Sequence, residues 1–139
     1  MDTNRDVNLT AWLSAYLDEM HGVAGTVHLH EDGGLRLAAA VNIPPIVCKA
    51  VEWVPSGKGM AGLALERGEA VQTCNLKADP SGDVKPGAAA VDAKAAVAMP
   101  VRDPLGSIVA VVGIAFADDR QIEREELDRL TRAAESLVT

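Results

Sequence analysis

The segment Gly57-Lys-Gly-Met-Ala-Gly has the spacing of a GxGxxG motif, whose glycines let the backbone approach a dinucleotide pyrophosphate. Such a site needs a preceding parallel strand, a long crossover helix and an acidic residue about 20 residues further on. Asp83 lies near that distance, but Gly68 ends the predicted helix too soon for a crossover. We therefore interpret the segment as a glycine turn before a short helix.

His28 and His30 form an HxH pair on a predicted strand, so both imidazoles point to the same face. With His21 or Asp32 as a third ligand, they have the composition of a metal site. The sequence offers no second ligand motif downstream. We therefore interpret the pair as part of a half-exposed strand and predict no metal.

Cys48 and Cys74 belong to no CxxC pair, and the sequence shows no secretory signal peptide. This context favours reduced thiols over a structural disulfide. No GxSxG nucleophile elbow occurs in the sequence. We therefore assign no catalytic residue, and redox chemistry at Cys48 or Cys74 remains the alternative.

The composition excludes several classes of partner. A net charge of −7 without a basic cluster disfavours nucleic acid, and an aromatic content of 3% leaves few residues for base stacking. The longest late segment without charge, 104–117, contains proline and glycine and is too short to span a membrane. The sequence predicts a cytoplasmic protein that contacts neither nucleic acid nor membrane.

The periodicity of apolar residues predicts one domain over 1–139. Apolar stripes at helical spacing predict long helices over about 8–21, ending near Gly22, and 123–138. Alternating or continuously apolar segments predict strands; these are 25–30, 35–41, 70–74, 95–101 and 107–116. Shorter helices are predicted at 46–51, 60–67 and around 88–91. This order fits an α+β fold in which both terminal helices pack on one face of a central antiparallel sheet, while residues 44–93 cover the other.

Five phrases in this order resemble the GAF domain family of small-molecule sensor modules, from about residue 9 to 137. They are Gly57–Ala64, Arg67–Gln72, Ala98–Asp103, Leu105–Ile114 and Arg120–Leu127. The resemblance implies terminal helices that often form a dimer interface on one face of the sheet. It also implies a ligand cavity on the other face, beneath the middle helices and loops.

The ligand classes of that family each have a signature. Cyclic-nucleotide-binding members carry a signature of Asn-Lys, Phe and Asp-Glu. The one Phe of this sequence is Phe116, and the residue four positions after it is Arg120, so the signature is absent. Bilin-binding members use a Cys followed by His, which neither Cys48 nor Cys74 provides. A haem would need an axial histidine in the cavity, for which His28 is the candidate. The sequence therefore identifies no cofactor for this chain.

The chain also resembles, more distantly, the free methionine-(R)-sulfoxide reductases. Their cysteines correspond by resemblance to Val51, Ala61 and about Ala89, none of which is cysteine. Without a thiolate at those positions the chemistry cannot proceed. We therefore predict a non-catalytic, small-molecule-binding sensory or regulatory domain. The alternatives are a thiol-dependent redox enzyme and a purely structural dimerisation module whose cavity is filled by its own side chains.

The predicted ligand-binding residues come from the strands and the short helix that should surround the cavity. They are Val27, Trp53, Met60, Leu63, Gln72, Cys74, Val97 and Met99. On strand 95–101, alternation places Ala95, Val97 and Met99 on one face and Ala96 and Ala98 on the other. We expect the face with the larger side chains, that of Val97 and Met99, to line the cavity and the alanine face to point away. On the first strand either Val27 with Leu29 or His28 faces it. This mostly apolar lining suits a small, weakly polar metabolite.

Small residues on the terminal helices predict a symmetric homodimer, as the resemblance also implies. They leave one flank of each helix free to approach another helix closely. These residues are Ala11, Ser14 and Ala15 on the first helix, and Ala133 and Ala134 on the last.

Overall fold

The computed structural model describes residues 3–74, 95–117 and 122–138. In chain order its elements are α1 (Thr3–Met20), β1 (Ala24–Glu31), β2 (Gly34–Val41), α2 (Pro45–Ala50), β3 (Trp53–Pro55), α3 (Gly59–Arg67), β4 (Val71–Cys74), β5 (Ala95–Arg102), β6 (Ile108–Phe116) and α4 (Arg124–Ala134). A 3₁₀ turn over Glu135–Val138 follows α4. The helix predicted around 88–91 and the acidic residue Asp83 lie outside the described residues.

The six strands form one antiparallel sheet in the order β3-β2-β1-β6-β5-β4. The two predicted hairpins, β1–β2 and β5–β6, meet where β1 pairs with β6 at the centre. The predicted α+β architecture is therefore confirmed. The sequence did not predict β3, a three-residue edge strand whose backbone pairs with the start of β2.

The helix boundaries differ from the predictions in local detail. At the end of α1 it is His21 that adopts the left-handed conformation, with φ of 65°. Gly22 is needed for a different reason: a Cβ there would lie 2.6 Å from the Ile114 side chain. Gly68 ends α3 in the left-handed conformation, as predicted. The last helix ends at Ala134, where the chain tightens into the 3₁₀ turn.

The terminal helices pack on the same face of the sheet, as predicted. Leu13 of α1 and Leu130 of α4 are buried against strand residues such as Val112. The Tyr16 hydroxyl joins the two helices, since it donates a hydrogen bond of 2.9 Å to the Leu130 carbonyl. Burial, helped by the nearby Glu19 carboxylate, raises the pKa of Tyr16, so this donor stays protonated.

Trp12 strengthens the same contact between the helices. Its ring stacks on Tyr16 with 4.9 Å between the centroids, and its Nε1 donates a 2.9 Å hydrogen bond to the Ser136 hydroxyl. The helix-side core also holds Ala134, which is fully buried. The prediction that Ala134 provides an outer flank of the last helix was therefore wrong, because that stripe faces the sheet.

The predicted orientation of strand 95–101 was also wrong. The larger side chains Val97 and Met99 belong to the core beneath the terminal helices, whereas Ala98 packs with Val71 and Val111 on the other face. On β1, Val27 likewise lies in the helix-side core. The two long helices cover the face that offers the larger apolar area, so the bulky residues point toward them.

No helix in the described ranges is long and apolar enough to cross a membrane.

Truncating the core between the terminal helices should destabilise the fold. Leu13 and Leu130 are 0% and 1% exposed, so each substitution to Ala should lower the free energy of unfolding by about 2–5 kcal/mol through lost burial and the cavity left behind. Leu105→Ala is the matched control, because Leu105 is 91% exposed and its loss should cost under about 0.5 kcal/mol. Denaturant unfolding measures all three. Similar values for Leu130→Ala and Leu105→Ala would contradict this packing.

Candidate functional site

A cavity of about 800 Å³ lies between the other face of the sheet and the segment 43–61. Its size falls within the range of about 300–1,000 Å³ that is typical of small-molecule sites. The sheet provides the floor and the covering segment provides the roof. The roof consists of the loop before α2, α2 itself, β3 and the first turn of α3.

The floor is made of small residues. Ala96 and Ala98 of β5 and Gly113 and Ala115 of β6 lie side by side in the central pairing of those strands. A Cβ on Gly113 would lie 2.9 Å from the Thr26 hydroxyl on β1, so a side chain there would require Thr26 to move. Small side chains on this face leave the space that the larger ones fill on the helix side.

The roof is apolar but only partly covered. Helix α2 has no buried residue, and its Ile46 is 80% exposed. Trp53, beside it at the cavity rim, is 46% exposed. Exposed large apolar side chains around a concave site mark a binding surface more often than isolated ones do.

The glycine segment at 57–62 shapes the far end of the roof. Gly57 and Gly59 both have positive φ, and the Gly57 amide donates to the Gly62 carbonyl at 2.8 Å. A Cβ on Gly62 would lie 2.5 Å from the Pro55 carbonyl oxygen, so the turn packs tightly on β3. The segment is a glycine turn before a short helix, as predicted, and the strand before it is antiparallel in the sheet.

His28 is the buried polar residue of the cavity. It is 2% exposed, and its Nε2 lies 2.9 Å from the Val51 carbonyl oxygen, to which it donates a hydrogen bond. This bond connects the floor strand β1 to the end of α2 in the roof. Burial lowers the pKa of His28, partly offset by the bond to Val51, so the imidazole is neutral. Among the described residues, none forms a hydrogen bond with its Nδ1.

The structure brings together only some of the predicted site residues. Trp53, Met60 and Val97 line the cavity, although the Val97 side chain belongs to the helix-side core. Val27 and Met99 lie on the opposite face of the sheet. His28, the alternative left open for β1, lines the cavity instead of Val27.

The remaining predicted residues lie elsewhere. Leu63 packs against a second apolar cluster around Leu35 and Ala64. Gln72 donates to the Ile122 carbonyl and accepts from the Ile122 amide, which anchors the chain before α4. The Cys74 side chain lies outside the described residues.

Sequence reasoning missed the small floor residues and the residues of α2. Ala96 and Ala98 were assigned to the face away from the cavity, yet both line it. Residue size along β5 and β6 was the signal: one face carries Val, Met, Ile and Phe, and the other carries mainly Ala and Gly.

The other candidate chemical groups are not assembled into a site. His30 is exposed, and its Nδ1 lies 3.0 Å from the Ile108 carbonyl oxygen. Cys48 is partly buried, with its thiol 3.7 Å from the Ile43 carbonyl oxygen. In the part of the chain that the structure describes, no three His, Cys, Asp or Glu side chains come together as metal ligands.

The buried neutral imidazole of His28 should make stability depend on pH. Its folded-state pKa lies below the ordinary 6.5, so as the pH falls through about 6.5 the unfolded chain binds a proton that the folded chain does not. The contribution of His28 to the free energy of unfolding should therefore be constant above about pH 7.5 and fall below about pH 6.5 until the folded pKa is reached. His28→Gln should remove this pH dependence, because glutamine does not titrate in this range. The glutamine side-chain amide can still donate a hydrogen bond to the Val51 carbonyl oxygen.

Denaturant titrations at several pH values measure the difference between the variants. His30→Gln is the matched control, because His30 is exposed, and it should keep the wild-type profile. An unchanged pH profile in His28→Gln would contradict a buried neutral His28.

Comparisons with known proteins agree with this architecture. A family model described as GAF domain matches residues 8–138. No curated protein sequence matches the chain. Among solved structures, the chain is similar to the GAF domain region of a membrane protein from Geobacter sulfurreducens, with a TM-score of 0.76, 13% identity and coverage of 95% of this chain and 89% of that one.

Two further solved structures show the range of proteins that share the fold. The nlh2 GAF domain of A. aeolicus has a TM-score of 0.68 and 18% identity over 95% of this chain and 78% of its own. The type II free methionine-R-sulfoxide reductase of Thermoplasma acidophilum has a TM-score of 0.71 and 17% identity over 94% and 87%. At these identities the likeness concerns the fold alone. The family model, which spans almost the whole chain, shows that this protein belongs to the GAF domain family.

Proposed function

We propose that this GAF domain is a sensory or regulatory module that binds a small, largely apolar molecule in the cavity and has no catalytic activity. The observation that carries the proposal is the apolar cavity of about 800 Å³ with an incompletely covered apolar roof. Fold alone does not fix function. The proposal therefore rests on this site.

The roof supplies a driving force for binding. Full burial of a side chain such as Ile46 is favourable by about 1.5–3 kcal/mol relative to exposure. Ile46 and Trp53, both at the rim, are substantially exposed to solvent. A ligand that contacts them would remove this surface from water and hold α2 against the sheet.

The same contacts provide a route to regulation. A ligand changes a conformational equilibrium only as far as its affinities for the two conformations differ. In this domain a bound ligand would cover α2 and β3. Strand β3 pairs directly with β2 of the sheet. Ligand binding therefore acts on the sheet that also carries the terminal helices.

The second candidate is a thiol-dependent redox enzyme, because free methionine-R-sulfoxide reductases share the fold. Two of the positions that resemblance assigns to their cysteines, Val51 and Ala61, do line the cavity. Neither side chain can form a thiolate, and Ala89 lies outside the described residues. Reduction of free methionine sulfoxide that is lost in Cys48→Ser or Cys74→Ser would favour this second function.

Filling the floor should remove ligand binding without unfolding the domain. Ala96 faces the open space and is partly exposed, so Ala96→Leu should occupy the cavity at little cost in stability. Native mass spectrometry of the purified wild type should show a retained small molecule, and Ala96→Leu should lack it. The wild type should also melt at a higher temperature with the molecule than after its removal.

Ala117→Leu is the control, since Ala117 is exposed just beyond β6; it should retain the molecule. The result differs if the protein's own side chains already fill the cavity. In that case Ala96→Leu should overpack the site and lower the free energy of unfolding by about 1–3 kcal/mol. That loss, together with no retained molecule in the wild type, would favour the structural dimerisation module.

We further propose a symmetric homodimer through the outer flank of α1. Ala11, Ser14 and Ala15 are exposed there, and small residues permit close approach of a second helix. Sedimentation at about 50 µM should show a dimer for the wild type and a monomer for Ala15→Glu. Ser107→Glu adds the same charge on the exposed β5–β6 turn and should remain dimeric. A wild type that sediments only as a monomer would contradict this interface.

A further inference from the structure

We infer that the Thr26 hydroxyl on the cavity floor is the polar anchor of the ligand site. The ligand is then an uncharged molecule with an apolar body and a hydroxyl or carbonyl group that forms a hydrogen bond with Thr26. The inference rests on the proposed function, because it names the class of molecule that the cavity takes. It also makes Thr26 a specificity-determining residue.

The Thr26 side chain points into the cavity. Thr26 is one of the lining residues, whereas the next residue of β1, Val27, belongs to the core beneath the terminal helices. Because successive side chains of a strand point to opposite faces, Thr26 lies on the cavity face. Its position is central in the sheet, since Thr26 pairs with Gly113 of β6, and Gly113 pairs in turn with Ala98 of β5.

Gly113 leaves the Thr26 hydroxyl uncovered. A Cβ at Gly113 would lie 2.9 Å from the hydroxyl oxygen, so a side chain there would crowd it. The hydroxyl forms no hydrogen bond with the described residues. In those same residues, the side-chain polar atom that is both enclosed and unpartnered is Nδ1 of His28. The Thr26 oxygen is therefore not enclosed, and a molecule in the cavity can reach it.

The other polar side chains of the lining lie at the rim or are not available. Among the described lining residues, polar side-chain atoms belong to Thr26, His28, Trp53 and Lys58. Trp53 and Lys58 are exposed on the roof segment. The His28 Nε2 already bonds to the Val51 carbonyl oxygen, and the His28 Nδ1 is enclosed. Thr26 is therefore the accessible polar side chain of a floor made mainly of alanine and glycine.

A purely apolar ligand would be penalised at this hydroxyl. A hydroxyl that is open to solvent forms hydrogen bonds with water. A ligand that covers the hydroxyl displaces that water, and a buried hydroxyl without a partner weakens binding. A hydroxyl or carbonyl group on the ligand restores the bond, because a threonine hydroxyl both donates and accepts. Thr26 thus selects ligands that carry such a group.

The charges of the lining favour an uncharged group at Thr26. Of the described residues that line the cavity, Lys58 is the charged one, and it is exposed at the N-terminus of α3. His28, on the same strand as Thr26, is neutral because burial lowers its pKa. An ion on the floor would lose its hydration without a buried counter-charge. The floor therefore selects an uncharged molecule.

Matched probe pairs, compared between variants, isolate this hydrogen bond. 2-Naphthol and 2-methylnaphthalene have nearly the same shape, but only 2-naphthol carries a hydroxyl; 2-acetonaphthone and 2-isopropenylnaphthalene differ in the same way at a carbonyl. Equilibrium dialysis at about pH 7.5, with protein freed of retained molecules, gives the ratio of Kd values within each pair. The hydration of each probe is the same for every variant, so a change in this ratio reports the contact with the protein. Thr26→Val should reduce the relative preference for the polar probe about 3–10-fold, as expected for one hydrogen bond.

Four further variants control this comparison. Thr26→Ser keeps the hydroxyl and should keep the wild-type ratio. Thr131→Val makes the same exchange on α4, on the helix side of the sheet, and should also leave the ratio unchanged. Ala96→Leu should weaken the binding of all four probes, which places them in the cavity. Thr26→Val should fold, since valine suits a strand; if it does not, Thr26→Ala removes the same hydroxyl and its ratio decides the question.

The outcomes distinguish the two proposals. Ratios that are the same in the wild type and Thr26→Val, with the probes still bound, would overturn the role of Thr26 while leaving the small-molecule cavity intact. Tighter binding of the carboxylate 2-naphthoate than of 2-naphthol would overturn the uncharged class. If the wild type retains a molecule on purification but binds no probe, a retained molecule that is charged or lacks a hydroxyl and a carbonyl would overturn the inference. A wild type that binds no probe and retains no molecule would overturn the proposed function, and this inference with it.

Discussion

The two faces of the central sheet differ in side-chain size, and much of the structure depends on this difference. Along β5 and β6, residues such as Met99, Val112 and Phe116 point to one face, while Ala96 and Gly113 point to the other. Because protein interiors are close-packed, the bulky face must be covered by elements with long apolar stripes. The terminal helices meet that requirement, and the small face is left with space beneath a short roof.

That space is bounded by a roof with little packing of its own. Helix α2 buries none of its residues, and β3 is an edge strand of three residues. The bond from His28 to the Val51 carbonyl is one of the contacts that attach this segment to the sheet. The well-packed helix side thus holds the fold together, while the cavity side has little packing that a ligand would have to displace. In this division we expect a substitution at Leu13 to change stability, and we propose that one at Ala96 changes ligand binding.

The sequence predicted the elements better than the faces they present. The apolar stripes of α1 and α4 are long enough to be unambiguous, and Gly68 marks the end of α3 by a conformation that suits glycine. Strand β3 was missed because three residues carry no periodicity. Alternation along β5 shows that Val97 and Met99 share a face, but it cannot say which layer covers that face. The assignment of Val97 and Met99 to the cavity was wrong because the terminal helices cover the face that carries these larger side chains.

His28 shows a second limit of sequence reasoning. Its place in an HxH pair suggested a metal ligand, whereas its environment depends on Val51, which lies 23 residues away in the chain. No local pattern records that contact or the unpartnered Nδ1.

The most direct test of the open cavity is a crystal structure of the domain as purified. We expect electron density from a non-protein molecule between Ala96 and Gly113 of the floor and Val47 and Trp53 of the roof. Roof side chains collapsed onto the sheet, with no space between them and Ala96, would contradict it.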